Sequence, residues 1–304
     1  MTRVLGVDFG ATYAKLVVLD VDGGQRHVVA SDTVPTGARD DPEQVTARIA
    51  GLGRALLDAH GDATAVGVGL PGLFDETGGI VLFPNLPAAW VGHRIGEQLG
   101  AALGAPAHLI NDARAFTLAE SRMGAAAGAS TVLCVTLGTG VGGGVVIDGK
   151  LRFGRLGRAG EIGHQVVEAD GPPCGCGNRG CVESFATSAE LCRRAGQDSP
   201  EGVFAAAASG DAQAATAVAG LVSRLAQGIG NLVTVLWPEL IVVGGGVANA
   251  GEQLLGPLRA AVAAAAPLVD PASYRIVAAV LGSSAGAIGA ALWAGEHTSD
   301  HVTG

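Results

Sequence analysis

The chain has 304 residues, 48% of them apolar and 15% charged, which is enough for two modest domains with real cores and excludes a disordered polymer. A formal net charge of −9 disfavours nonspecific binding to nucleic acid or anionic membranes, where phosphate would repel it. No run of about 18 or more uncharged apolar residues is bounded like a transmembrane helix, and MTRVLGVDFG lacks the regions of a signal peptide, so the expectation is a cytoplasmic, reducing setting with no membrane and no nucleic-acid partner.

Residues 3–8, 14–20 and 27–34 read as three strands, with a hairpin signal at Val21-Asp22-Gly23-Gly24. A helix follows over 43–59, with Val45, Ile49, Leu52, Leu56 and Leu57 on one face. The buried strand TAVGVGL ends at Pro71-Gly72. A loop through Asn85 and Trp90, a helix near 94–103 and the strand AHLI then lead to Asn111-Asp112 and the helix ARAFTLAESRM. The second half opens as the first does. TVLCVTLGTG and VGGGVVIDGK repeat the order of apolar strand, Gly/Thr turn, apolar strand and Asp-Gly hairpin seen in RVLGVDFGATYAKLVVLDVDG. Two copies of a β-β-β-α-β-α unit would set two glycine turns facing each other across a cleft. Helices over 185–195, 200–208 and 212–236, the strand ELIVVGGGV, an Ala-rich helix near 251–265, the strand YRIVAAV and a helix over 283–295 complete an α/β pattern.

Several segments carry chemistry. Asp8-Phe9-Gly10-Ala11-Thr12 is a strand-to-strand turn able to cradle a phosphate, and equally an ordinary turn. Gly138-Thr139-Gly140 opens a run of five glycines in seven residues between two apolar strands, which suits close approach of a polyphosphate to the backbone. Gly244-Gly245-Gly246 follows a buried strand, where α/β proteins bind ligands, but lacks the dinucleotide fingerprint. Asp112, at a strand end, either caps the following helix or serves as a general base in phosphoryl transfer. Three of the five cysteines, Cys174, Cys176 and Cys181, fall in one short segment, and Cys-x-Cys-x4-Cys lacks one ligand of a tetrahedral set, which His164 can supply. Four protein ligands leave no open position, so the spacing points to structural rather than catalytic zinc.

Together these segments resemble the ROK family of sugar kinases and repressors, and within it the bacterial glucokinases. The matching motifs are DFGAT at 8–12, GLPG at 69–72, NLP and Trp90 at 85–90, ND at 111–112, GTGVGGG at 138–144, EIGH at 161–164, CGCGNRGCVE at 174–183 and GGGV at 244–247. The resemblance implies an actin-like, ribonuclease-H-like fold of two α/β domains with an interdomain cleft. The small domain would be 1–112 plus a C-terminal helix at about 284–304, and the large domain 113–283. It further implies an ATP-dependent hexose kinase, with ATP and Mg²⁺ as cofactors, zinc as a structural ion, and a homodimer or homotetramer. Asp112 would be the base. Gly72, Asn85, Asn111, Asp112, Glu161, His164 and Glu183 would hold the sugar. Gly10, Ala11, Thr12, Lys15, Gly138, Thr139 and Gly140 would hold phosphates, Gly245, Gly246 and Val247 would line the adenine pocket, and Asp8 would position Mg²⁺. The family's repressors carry a winged helix-turn-helix before the first glycine turn, and Asp8 stands too near the start to leave room for one. A kinase for fructose, mannose, allose, N-acetylglucosamine or N-acetylmannosamine, a non-catalytic sugar sensor or repressor of the family lacking its DNA-binding domain, a polyphosphate donor and a zinc-ribbon module are the alternatives.

Overall fold

The computed structural model describes residues 2–22, 24–37, 39–75, 78–82 and 87–298. They divide into two units, Met1–Met123 with Ser283–Gly304, and Gly124–Gly282.

The first unit is built on β1 (Thr2–Phe9), β2 (Tyr13–Asp22), β3 (Gln25–Pro35), α1 (Pro42–His60), β4 (Ala65–Leu70), a small hairpin of β5 (Leu73–Phe74) and β6 (Ile80–Leu82), α2 (Ile95–Leu103), β7 (Ala107–Asn111) and α3 (Asp112–Met123). Its sheet runs β3-β2-β1-β4-β7, antiparallel through the first three strands and parallel from β1 to β4 to β7. The period of two along β1 sorts its side chains between two faces. Leu5, Val7 and Phe9 join a core with Val45 and Ile49 of α1 and Leu99 of α2. Val4, Gly6 and Asp8 turn to the other face, where the closing helix lies. Asp41 starts α1 by accepting from the Glu43 and Gln44 amides, with Pro42 in the first turn.

The second unit comprises β8 (Val132–Leu137), β9 (Val141–Ile147), β10 (Lys150–Leu151), α4 (Glu183–Ala186), α5 (Ser188–Ala195), α6 (Pro200–Ala208), α7 (Ala212–Leu236), β11 (Leu240–Gly244), α8 (Glu252–Ala265) and β12 (Arg275–Ala278). Its sheet runs β10-β9-β8-β11-β12 and repeats the order and sense of pairing of the first. The repeated strand-turn-strand pattern in the sequence thus corresponds to two sheets of one topology. By length and composition α7 could cross a membrane. However, Leu221, Leu225, Ile229 and Val233 are buried in the core of this unit, so α7 is a core helix.

The last helix, α9 (Ala285–Thr298), returns to the first unit. Its small residues let its backbone lie against glycines. A Cβ on Gly6 would sit 1.9 Å from the Ala287 carbonyl oxygen, and one on Gly67 1.8 Å from that of Ala290. A Cβ on Gly289 would sit 1.7 Å from the Ala115 oxygen of α3. This three-way packing carries α3 with the first unit, so the boundary expected after residue 112 falls instead after Met123. We expect Gly67→Ala to cost at least about 3 kcal/mol in urea unfolding, because helix backbone cannot yield as a flexible side chain can. Gly51→Ala, on α1 with nothing within 4 Å of the new Cβ, is expected to be neutral or stabilising by up to about 1 kcal/mol. Equal costs would refute the packing account.

The helix expected over 185–195 is two helices. Thr187 leaves the helical conformation at ψ 154° and caps α5, accepting from the Glu190 amide. Thr-x-x-Glu is a capping signature that the apolar periodicity had obscured.

Candidate active site

In the first unit the site residues gather at the C-terminal ends of parallel strands, where α/β sheets present ligand-binding groups. The register pairs Asp8 with Gly69 and Leu70 with Asn111, so the ends of β1, β4 and β7 lie side by side. Asn111 Oδ1 accepts from the Ala113 and Arg114 amides at 3.1 and 3.3 Å, which makes it the cap of α3. Asp112 Oδ1 accepts from Ala113 N at 2.8 Å. Capping, the ordinary reading of Asp112, is therefore shared with its neighbour. Gly72, just beyond β4, has a φ of 89°, a conformation that glycine adopts freely. Asn85 lies outside the described residues.

Gly10 N donates to Tyr13 O at 3.1 Å and Thr36 Oγ1 to Gly10 O at 2.7 Å, so the turn after β1 is braced from the residue just beyond β3, with Ala11 and Thr12 exposed at its tip. Lys15 Nζ donates to Ser283 O at 3.0 Å. Asp8 points at the start of α9, where a Cβ on Gly286 would lie 2.5 Å from its carboxyl carbon. Nothing in the sequence marks Gly286 except that it is a glycine at a helix start. Burial pushes the Asp8 carboxyl up to about 7; the Asp112 charge adds to the rise and Lys15 opposes it. A carboxyl raised in the folded state costs stability as pH climbs from its ordinary value of about 3.9, and the cost is complete above about 7. Without nucleotide or magnesium, Asp8→Asn should therefore match the parent near pH 4 and exceed it at pH 8.5. The gain should be of order 2 kcal/mol, since the side chain keeps some contact with water. Melting curves at the two pH values read it, and a gain no larger at pH 8.5 than at pH 4 would contradict it.

In the second unit, Gly138–Gly140 follows β8 and Gly245–Val247 follows β11, again at the ends of parallel strands. Gly138 N donates to Gly140 O at 3.0 Å, and Ser188 N, at the start of α5, donates to Gly138 O at 2.8 Å. Thr139 is the middle residue of that turn. Glu183 Oε2 accepts from Val141 N at 2.9 Å, and a Cβ on Gly140 would lie 2.8 Å from the same oxygen. The structure thus joins a predicted sugar ligand to the predicted phosphate loop. Gly245 has a φ of 88°, and a Cβ there would lie 2.3 Å from Leu137 O. Beside it a cavity of about 380 Å³ is lined by Gly246, Val247, Asn249, Glu201 and Phe204 among others. The α6 wall, Glu201 and Phe204, was invisible in the sequence because no motif marks it.

Glu161 and His164 bracket the one-turn helix Ile162–His164, which packs closely on β9; a Cβ on Gly163 would lie 2.0 Å from Val141 O. The two imidazole nitrogens have different neighbours. Nε2 is 3.9 Å from Glu161 Oε2, while Nδ1 is 3.9 Å from Glu183 Oε1 and 3.5 Å from Cys174 Sγ. Cys176 and Cys181 Sγ atoms are 3.7 Å apart, and the four ligand atoms all lie within 4.8 Å of one another. Zinc with sulfur at about 2.3 Å and nitrogen at about 2.0 Å needs tetrahedral edges near 3.8 and 3.6 Å, so the donor set fits the ion. Burial and the neighbouring thiols push the Cys181 thiol up to about 12, whereas the backbone at Asn178 draws that of Cys176 down. A divalent cation supplies the charge that holding three crowded thiolates requires.

The ROK family profile matches residues 4–297. A glucokinase of Thermotoga maritima is 37% identical over 309 residues, covering 95% of this chain and 96% of that protein. Among solved structures, a ROK hexokinase from Thermus thermophilus is similar at a TM-score of 0.87 and 34% identity, covering 98% of this chain and 100% of that one. A ROK family glucokinase from Streptomyces griseus, in complex with glucose and AMPPNP, is similar at a TM-score of 0.82 and 31% identity, covering 97% and 99%.

Proposed function

The chain belongs to the ROK family, and from that premise we propose that it is an ATP-dependent glucokinase, transferring the γ-phosphoryl group of ATP to the 6-hydroxyl of glucose. Its mixed α/β architecture with two sheets is the actin-like ATPase fold of that family. The likeness to a glucokinase bound to glucose and an ATP analogue, over nearly the whole of both chains, supports acceptor and donor together. The observation that carries the chemistry is the pairing of Asp112 with a separate cap, Asn111, at the end of β7.

Asp112 accepts the proton of the attacking hydroxyl. Asn111, Glu161, His164 and Glu183 hold sugar hydroxyls, with Gly72 and Asn85 as further contributors. The turns at Gly10–Thr12 and Gly138–Gly140, with Lys15, take the phosphates, and Gly245–Val247 flank the base. Magnesium bound with the nucleotide would supply positive charge at the phosphates, and Asp8 would help to hold it. His164, Cys174, Cys176 and Cys181 hold a zinc ion that fixes the sugar-binding segment and takes no part in the reaction. A reducing cytoplasm keeps those thiols free, and a homodimer or a pair of dimers, read by sedimentation, is the assembly this reading carries.

A panel of hexoses and amino sugars, each with ATP, ADP and polyphosphate, tests the reading by NMR of the phosphorylated product. Glucose 6-phosphate formed with ATP is expected. Product from another sugar alone would move the acceptor, and no product from any pair would overturn the kinase reading.

A further inference from the structure

Arg224, on α7, touches the chain on both sides of the cysteine loop. Its Nη2 donates to Glu168 Oε2, upstream of Cys174. Its guanidinium carbon lies 5.2 Å from the centre of the Phe185 ring, downstream of Cys181. Arg194 stacks on the same ring at 5.5 Å and is itself held by Glu190, Nε to Oε1 at 2.6 Å. Arg224 Nε is buried and has no hydrogen-bond partner among the described residues, so the ion pair and the ring hold this guanidinium. Between the two anchors the backbone is tightly closed. Val167 and Glu168 amides both donate to Gly180 O, at 2.9 and 3.2 Å. A Cβ on Gly180 would lie 1.6 Å from Glu168 O, and one on Gly171 3.1 Å from the edge of Phe185. Phe185 shares its single helical turn with Glu183.

We propose that Arg224 is a positioning residue that clamps both ends of the metal-binding loop to α7 and thereby fixes Glu183 and His164 for the sugar. A cation over an aromatic face and a charge-assisted hydrogen bond are each directional, so together they define where the loop ends lie. The sugar half of this inference rests on the kinase reading; the metal half does not.

The test compares the zinc-loaded parent with Arg224→Met, Arg224→Lys and Glu168→Gln. Zinc release to a chromophoric chelator, KM for glucose, KM for ATP, kcat and melting temperature are measured on each. Arg224→Met should release zinc about 10-fold faster, the usual scale for a group that orients metal ligands. Its KM for glucose should rise about 10-fold while kcat and the KM for ATP stay within about twofold, the pattern of binding lost equally from ground and transition state. Arg224→Lys retains the pair with Glu168 and should restore part of both effects; Glu168→Gln should move both in the same direction as Arg224→Met. Unchanged zinc release and sugar KM would overturn the proposal, as would a fall of all parameters in step with melting temperature. Should Arg224→Met fail to fold, the two milder variants decide. If the parent phosphorylates no sugar, the kinase reading fails and zinc release still decides the clamp.

Discussion

Asp112→Asn is expected to bind glucose and nucleotide with near-parental affinity and to turn over at least about 10²-fold more slowly, the scale of a lost general base. The substitution suits the question because Asn111 already caps α3 through Ala113 and Arg114, and an asparagine at 112 keeps an oxygen for the Ala113 amide. The cap of α3 is therefore kept. What disappears is a carboxylate at a helix N-terminus, a place that favours negative charge, at the end of β7, which lies beside β4 and one strand removed from β1 and its glycine turn. A second readout follows from the same geometry. The Asp112 charge contributes to the raised Asp8 carboxyl, so its removal should lower the pH at which Asp8 ionises. Near-normal turnover in a coupled ADP-release assay would take the role of base away from Asp112.

The second large effect belongs to the cysteine cluster. One zinc ion per chain is expected, and Cys176→Ser should lose it and melt of order 10 °C lower, at about 2–4 °C per kcal/mol for units of this size. Cys176 is chosen because it is exposed. Changing an exposed thiol to a hydroxyl ordinarily moves stability by no more than about 0.5 kcal/mol, so a large loss reports a missing ligand rather than a cavity. Fully active protein with no metal by elemental analysis would refute the structural ion. A parental melting temperature for Cys176→Ser would remove Cys176 from the ligand set.

The order of strands and helices was legible because it follows local periods. RVLGVDF and TAVGVGL alternate or run apolar over strand lengths, and Val45, Ile49, Leu52 and Leu56 recur at helical spacing. Misreadings arose where two signals overlapped. The apolar residues on either side of Thr187 continued a helical pattern, and only the capping geometry broke it. Likewise the strand expected over 274–280 is regular only over Arg275–Ala278, in register with Leu240–Val243 of β11, and beyond it Ala279 N makes one last hydrogen bond, to Val243 O at 2.9 Å. Of the candidate site, the motif-bearing residues were legible and their supports were not. Gly286 opposite Asp8 and Arg224 between Glu168 and Phe185 carry no local signature, since a glycine in a helix and an arginine on a helix are ordinary residues until a distant segment meets them.

By itself the sequence determined the alternation of the two sheets, the glycine turns at strand ends and a donor set of three thiols and one imidazole. Chirality, side-chain period and ligand chemistry act within a few residues, so a short window contains their cause. Only the tertiary structure decided that α3 stays with the first unit, that Asp8 faces the start of α9, and that Glu183 joins the loop at Val141. Each of these depends on the close approach of segments far apart in the chain, and whether two backbones can approach is set by the packing of every side chain between them.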